Sequence, residues 1–119
     1  MKTQSFKDLV TWQKAADLAV SIYGEFKDCK DFSFRDQIQR ATISISNNVA
    51  EGYAKRSDKA FRNFLMIAKG SCAEVESMLL IAHKLGYISE AKQQTLLEQT
   101  EEVGRLLSGF VRKLPAKDY

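Results

Sequence analysis

The sequence predicts an all-α protein, an antiparallel up-down-up-down four-helix bundle formed by one domain that spans residues 1–119. Apolar residues recur at the three- and four-residue spacing of amphipathic helices, and no segment alternates like a half-buried strand. Glycine is sparse and Pro115 is the one proline, so long helices can run without interruption. The breaks between the predicted helices are short polar turns, which join antiparallel neighbours.

The first helix is predicted from about Phe6 to Lys27. Ser5, with Asp8 three residues later, resembles the start of a capping box. The expected core stripe has helical spacing: Leu9, Trp12, Ala16, Ala19 and Tyr23, widened by Ala15, Ile22 and Phe26.

The second helix is predicted from Ser33, which repeats the capping pattern with Asp36, to about Ala54. One face is apolar or small: Ile38, Ala41, Ile45, Val49 and Gly52. The opposite face is polar: Arg40, Ser44, Asn47 and Glu51. Because serine and asparagine are poor helix formers, we expect this polar face to serve a hydrogen-bond network or a binding surface.

Ser57 is predicted to cap the third helix, which ends near Leu85 before Gly86, and Ser89 opens the fourth helix, which Pro115 closes. The third helix has its core stripe and a second apolar stripe, which we assign to an oligomer interface: Ile67, Met78, Ile81 and Leu85. The alternative is that the first and fourth helices cover both stripes.

The composition, 45% apolar and 28% charged, is ordinary for a globular protein, and the net charge of +3 does not by itself indicate a nucleic-acid partner. No apolar run is long enough to span a membrane and no signal peptide is apparent, so we expect a cytoplasmic protein without a membrane partner. Cys29 and Cys72 form no metal or disulfide motif, and Cys72 is expected in the core.

A polar network is predicted between the second and third helices: Arg40, Ser44, Asn47, Asn48, Glu51, Ser71 and Glu74. We expect Glu74 to be partly desolvated and paired with Arg40, which would fix the helix register. Two alternatives are a ligand site built from Arg40 and its polar neighbours, and a simple pair between Glu51 and Lys55. The lone histidine, His83, has neither a metal-ligand partner nor a nucleophile at a recognised spacing, so we expect no metal, no cofactor and no enzyme activity.

Basic residues concentrate in the turn before the third helix and at the end of the fourth, and we assign nucleic-acid binding to Lys55, Arg56, Lys59, Arg62, Arg112 and Lys113. In an up-down bundle the same end also receives Lys2, Lys7 and Lys117, with Tyr53 and Tyr119 as stacking surfaces. The alternative is that the cations complement the negative C-terminal ends of helices. This alternative does not explain Lys59 and Arg62, because they lie near the N-terminus of their own helix, where the helix dipole is positive.

Three stretches resemble one known family. The run from Phe6 to Ala15, the segment 37–52, and the segment 56–71 with Glu74 and Glu76 are similar to bacterial four-helix-bundle proteins named after intervening sequences in 23S ribosomal RNA genes. A related group of accessory proteins in diversity-generating retroelements forms basic pentameric barrels that bind a reverse transcriptase and nucleic acid. The resemblance therefore implies a homo-oligomer, expected as a pentamer, in contact with RNA or DNA. The alternative function is a structural or protein-interaction scaffold.

Overall fold

The computed structural model describes residues 5–115. A short 3-10 helix, Phe6–Asp8, precedes four α-helices, which confirms the predicted count. The α-helices are α1 (Val10–Phe26), α2 (Phe32–Ala54), α3 (Asp58–Lys84) and α4 (Glu90–Lys113). Over the described range the chain has no strand, so the all-α prediction is confirmed.

The four helices form a bundle in which each packs against two neighbours. α1 and α3 both contact α2 and α4, and the molecule measures 50 × 23 × 22 Å. The hydroxyl oxygens of Ser44 and Ser71 lie 3.0 Å apart across the α2–α3 pair. The thiol of Cys72 donates to the carbonyl of Thr100 across the α3–α4 pair at 3.3 Å. Residues at similar distances from each turn therefore meet, as an antiparallel up-down bundle requires.

Serine side chains begin the third and fourth helices as predicted. Ser57 accepts from the amide of Ala60 at 3.1 Å, and Ser89 accepts from the amide of Lys92 at 3.2 Å. Gly86 follows α3 with a φ of 79°, a left-handed conformation that glycine adopts without strain.

The starts of the first two helices differ from the prediction. Ser5 caps only the 3-10 helix. The backbone of Leu9 is extended, so α1 begins at Val10. Asp31, rather than Ser33, caps α2 by accepting from the amide of Phe34 at 3.1 Å. Asp31 lies two residues before Ser33, directly before the first residue of α2, and its backbone (φ −78°, ψ 84°) is non-helical, as that of an N-cap is. Its carboxylate is a strong acceptor.

The core stripe of α2 is confirmed, whereas that of α1 is rotated. Ile38, Ile45 and Val49 are fully buried in α2. In α1, Leu18 is buried and Tyr23 is 41% exposed, so the stripe is centred differently: Ala15, Leu18, Ile22 and Phe26. The rotation of α1 about its axis is set by its packing against α2 and α4. The spacing of apolar residues within α1 does not specify it.

The second apolar stripe of α3 is only partly as predicted. Ile67, Ile81 and Leu85 are exposed, by 54%, 44% and 51%. Met78 is instead buried in the core at 6% exposure, which corrects its assignment to the exposed stripe. Methionine is flexible and fills irregular gaps in a core, so Met78 can join the core cluster from a position at the edge of that stripe. Neither α3 nor any other helix in the described chain is long and apolar enough to cross a membrane.

Candidate nucleic-acid interface

The α2–α3 turn and the end of α4 are joined by one arginine. Arg62 donates through Nη1 to the carbonyls of Val111 at 3.0 Å and Leu114 at 3.3 Å. The last carbonyls of a helix lack partners within it, and a cation there also meets the negative end of the helix dipole. Arg62 is therefore a capping residue for α4, and its assignment to nucleic-acid binding stays a prediction. Arg62 itself lies in α3, and the helix dipole that it complements is that of α4.

Aromatic rings pack beneath this end of the bundle. Tyr53 and Phe61 make an edge-to-face contact with ring centroids 5.9 Å apart, and Phe61 and Phe110 make another at 5.0 Å. The half-buried Tyr53 ring is thus part of the internal packing, and its use as a stacking surface for bases stays a prediction. Lys2, Lys117 and Tyr119 lie outside the described residues.

The backbone of the turn displays its basic side chains to solvent. Arg56 follows the end of α2 with a φ of 58°, the left-handed conformation common just after a helix. Lys55 places its ammonium 5.8 Å from the ring centroid of Phe64. The basic end is formed by the exposed cations of the α2–α3 turn, of the first turn of α3 and of the last turn of α4: Lys55, Arg56, Lys59, Arg112 and Lys113.

A groove between α3 and α4 extends from the basic end and contains cations that the sequence reasoning missed. This α3–α4 groove has a volume of about 490 Å³ and is lined in part by Lys69, Glu76, Glu101, Gly104, Arg105 and Arg112. Lys69 lies seven residues after Arg62, and Arg105 seven residues before Arg112. Seven residues are two helical turns, so that spacing is the signal that places each pair on one helix face.

Part of the predicted polar network is present. Asn48 donates through Nδ2 to the hydroxyl of Ser44 at 3.0 Å and to its carbonyl at 2.7 Å. The Ser44 hydroxyl in turn lies 3.0 Å from that of Ser71. These three half-buried side chains link α2 to α3.

The predicted pair between Arg40 and Glu74 is wrong. Glu74 is exposed and accepts from Nε2 of Gln37 at 3.3 Å. Between residues 5 and 115 no ion pair within 4.0 Å joins Arg40 to Glu74, or Glu51 to Lys55. Exposed carboxylates remain hydrated and gain little from an ion pair, so nothing forces the contact.

Two shallow cavities nevertheless gather the polar residues of α2. Arg40, Ser44 and Glu74 line one of about 380 Å³. Arg40 also lines a second cavity of about 250 Å³, together with Asn47, Asn48 and Glu51. The structure thus places the residues of the alternative ligand site side by side on an open surface.

The residues with catalytic side-chain chemistry are separated or shielded. Burial and the nearby Glu76 carboxylate raise the pKa of Cys72 to about 11, so its thiol stays protonated at neutral pH. His83 is exposed in the last turn of α3. In the part of the chain that the structure describes, no three His, Cys, Asp or Glu side chains are grouped to hold a metal ion.

Comparisons with known proteins point to one group. A family model described as 23S rRNA-intervening sequence protein matches residues 7–109. Among solved structures, the chain is similar to a protein of unknown function from the S23 ribosomal protein family of Bacteroides thetaiotaomicron VPI-5482. The TM-score is 0.81 at 27% identity, over 87% of this chain and 100% of that one. Comparison with curated protein sequences gives no match.

Proposed function

The chain belongs to the 23S rRNA-intervening sequence protein family, and on that premise we propose that it is a non-catalytic, homo-oligomeric module that binds RNA or DNA through its basic end. The observation that carries this proposal is the meeting of the α2–α3 turn and the end of α4. Arg62 bonds to the α4 carbonyls and so holds the exposed cations of both elements at one end of the molecule.

The chemistry of the basic end suits phosphate rather than base recognition. Lys55 and Arg56 lie in the α2–α3 turn, Lys59 lies in the first turn of α3, and Arg112 and Lys113 lie in the last turn of α4. These cations therefore present no continuous helix face to a groove of a duplex. Contacts to phosphates position a protein on nucleic acid without reading its sequence. Binding by this end should therefore be weakly sequence-dependent and strongly weakened by salt.

Self-association in this proposal uses the outer face of α3. Its exposed side chains include Met66, Ile67, Leu80, Ile81 and Leu85, an unusual share of apolar surface for a solvated helix. Gly70 lies on the same face, where an added Cβ would meet no atom within 4 Å, so packing within the chain does not explain a glycine there. A closely approaching helix of another copy would explain it. A pentamer, the form that the resemblance implies, would repeat the basic end as a ring.

The proposal places the protein in the cytoplasm and gives it no catalytic role. Both cysteines are free thiols, the usual state in that reducing compartment. The protonated, hydrogen-bonded thiol of Cys72 is unsuited to nucleophilic attack.

Gel shifts at low salt test the binding proposal directly. Single-stranded RNA, duplex RNA and duplex DNA are compared for the unaltered chain and for a triple variant in which Lys55, Arg56 and Lys59 become glutamine. The triple variant should bind each of the three much more weakly, while its helicity and mass stay unchanged. Lys84→Gln, an exposed cation at the other end of α3, is the matched control and should bind normally.

A protein-interaction scaffold is the second candidate, and exposed aromatic surface at the opposite end favours it. Phe32 is 62% exposed at the start of α2, and Tyr87 is 38% exposed in the α3–α4 turn. No gel shift with any nucleic acid, or undiminished binding by the triple variant, would replace the nucleic-acid proposal with this one.

A further inference from the structure

The charge of the side chains that line the α3–α4 groove changes sign along its length. Near the basic end it is lined by Arg112, and then by Lys69 and Arg105. Farther along come Glu101 and then Glu76. This order follows from the antiparallel register of the two helices. A polyanion entering from the basic end thus meets cations first and carboxylates last.

The floor of the groove is neutral and made of small residues. A Cβ added to Gly104 would lie 3.7 Å from Sγ of Cys72, an ordinary contact, so the glycine leaves open space above the thiol. The Cys72 thiol donates to the carbonyl of Thr100, and both groups of the floor are therefore already satisfied. The volume of about 490 Å³ lies within the range of roughly 300–1,000 Å³ typical of small-molecule sites.

The charged side chains around the groove form no close ion pairs with one another. Across the described residues, no ion pair within 4.0 Å joins any two members of this set: Lys69, Glu76, Glu101, Arg105 and Arg112. Cations that line a concavity without forming ion pairs attract an anionic ligand more strongly than cations paired with carboxylates.

We propose that the α3–α4 groove receives one end of a single nucleic-acid strand. This proposal rests on the nucleic-acid function proposed above and extends it to a site. The last phosphates contact Lys69, Arg105 and Arg112, and the terminal nucleoside lies over the small-residue floor. Its hydroxyl or amino groups donate to Glu101 and Glu76. Continuation of the strand past that point is disfavoured, because its next phosphates would face two carboxylates.

Linear and circular forms of one single-stranded DNA, equal in length and sequence, test this site, because only the linear form has ends. The unaltered protein should bind the linear form about tenfold more tightly, a difference of about 1.4 kcal/mol. Gly104→Leu, which fills the groove without changing its charge, should lower the affinity for the linear form to that for the circle. Gly104→Ala is the matched control and should keep the preference. Arg105→Gln, which leaves the floor intact, should reduce it.

Several outcomes would overturn the site. Equal affinity for the two forms, or an unchanged preference in Gly104→Leu and Arg105→Gln, would show that strand ends do not enter the groove. A smaller oligomer in Gly104→Leu would show instead that a second copy of the chain occupies it. A further outcome is no preference for ends in the unaltered protein together with weaker binding by the Lys55, Arg56 and Lys59 triple variant. That result would support the proposed function and refute this site. No binding of either form would overturn this site, and no gel shift with any nucleic acid would overturn the proposed function as well.

Discussion

Gly52 of α2 lies so close to Phe64 of α3 that a Cβ added to the glycine would stand 2.6 Å from the Cβ of the phenylalanine. The Cβ of Phe64 is attached to the backbone and cannot rotate away. The same added atom would lie 3.0 Å from a ring carbon of Phe61. The close approach of the two helices beside the basic turn therefore depends on glycine.

Gly52→Ala should lower the free energy of unfolding, by about 1–3 kcal/mol, because the two helices must move apart to admit the methyl group. Urea unfolding measures the change. Gly24→Ala is the matched control: an added Cβ there meets no atom within 4 Å, and alanine favours the helix by about 0.5–1 kcal/mol. Equal stabilisation by both substitutions would contradict the close approach of α2 and α3.

Arg62→Gln should destabilise the fold by about 1–2 kcal/mol, because it removes the charged donor to the carbonyls of Val111 and Leu114. Amide hydrogen exchange should quicken in the last turn of α4 more than elsewhere. Arg112→Gln, an exposed cation in that turn, should leave stability within about 0.5 kcal/mol of the starting value. If the two variants are equally stable, Arg62 is not a cap.

The hydrogen bond between Tyr87 and Asp31 should make stability depend on acid pH. The Tyr87 hydroxyl donates to Oδ2 of Asp31 at 2.6 Å. This bond, with the amide of Phe34, lowers the pKa of the Asp31 carboxyl in the folded state. The resulting stabilisation is present above the ordinary aspartate pKa of about 4 and disappears as the pH falls through the lower folded value.

Tyr87→Phe should therefore reduce stability at neutral pH and flatten its fall between about pH 5 and pH 2. Thermal unfolding across that range measures both effects. The same bond raises the pKa of Tyr87, so its contribution should also be lost as the pH rises above the tyrosine range. If stability decreases equally at acid pH in the unaltered chain and in Tyr87→Phe, the bond does not lower the pKa of Asp31.

The exposed apolar face of α3 should drive assembly. Replacing Ile67 and Ile81 by glutamate should give a helical but smaller species, because charges would have to be buried in the interface. Val20→Glu, at a 74% exposed position of α1, is the control and should leave the mass unchanged. Sedimentation of the unaltered chain as a monomer at micromolar concentration would refute the proposed oligomer.

The features that sequence predicted well are local. Ser57, Ser89 and Gly86 act within a few residues of their own position, and Ile38 and Ile45 follow the period of their own helix. Such features do not depend on how the neighbouring helices pack. For this reason the amino-acid sequence alone predicts the helix ends at these residues and the core face of α2.

The features that sequence missed depend on how the helices turn toward one another. Arg62 donates to carbonyls 49 and 52 residues away, and no local sequence pattern predicts that contact. Met78 lies at the edge of two stripes, so a small rotation of α3 decides whether it is buried. The predicted partner of Glu74 is Arg40, but as an exposed carboxylate Glu74 accepts from Gln37 instead.

The most direct test of the account is the salt dependence of nucleic-acid affinity. Fluorescence anisotropy of a labelled single-stranded RNA, measured over a series of salt concentrations, gives the slope of log affinity against log salt. Each phosphate contacted on a single strand contributes about −0.7 to that slope. We expect a steep negative slope for the unaltered chain, a slope smaller by about 2 after Lys55, Arg56 and Lys59 become glutamine, and no change for Lys84→Gln. A flat slope, or a slope that the triple substitution leaves unchanged, would contradict binding through the basic end.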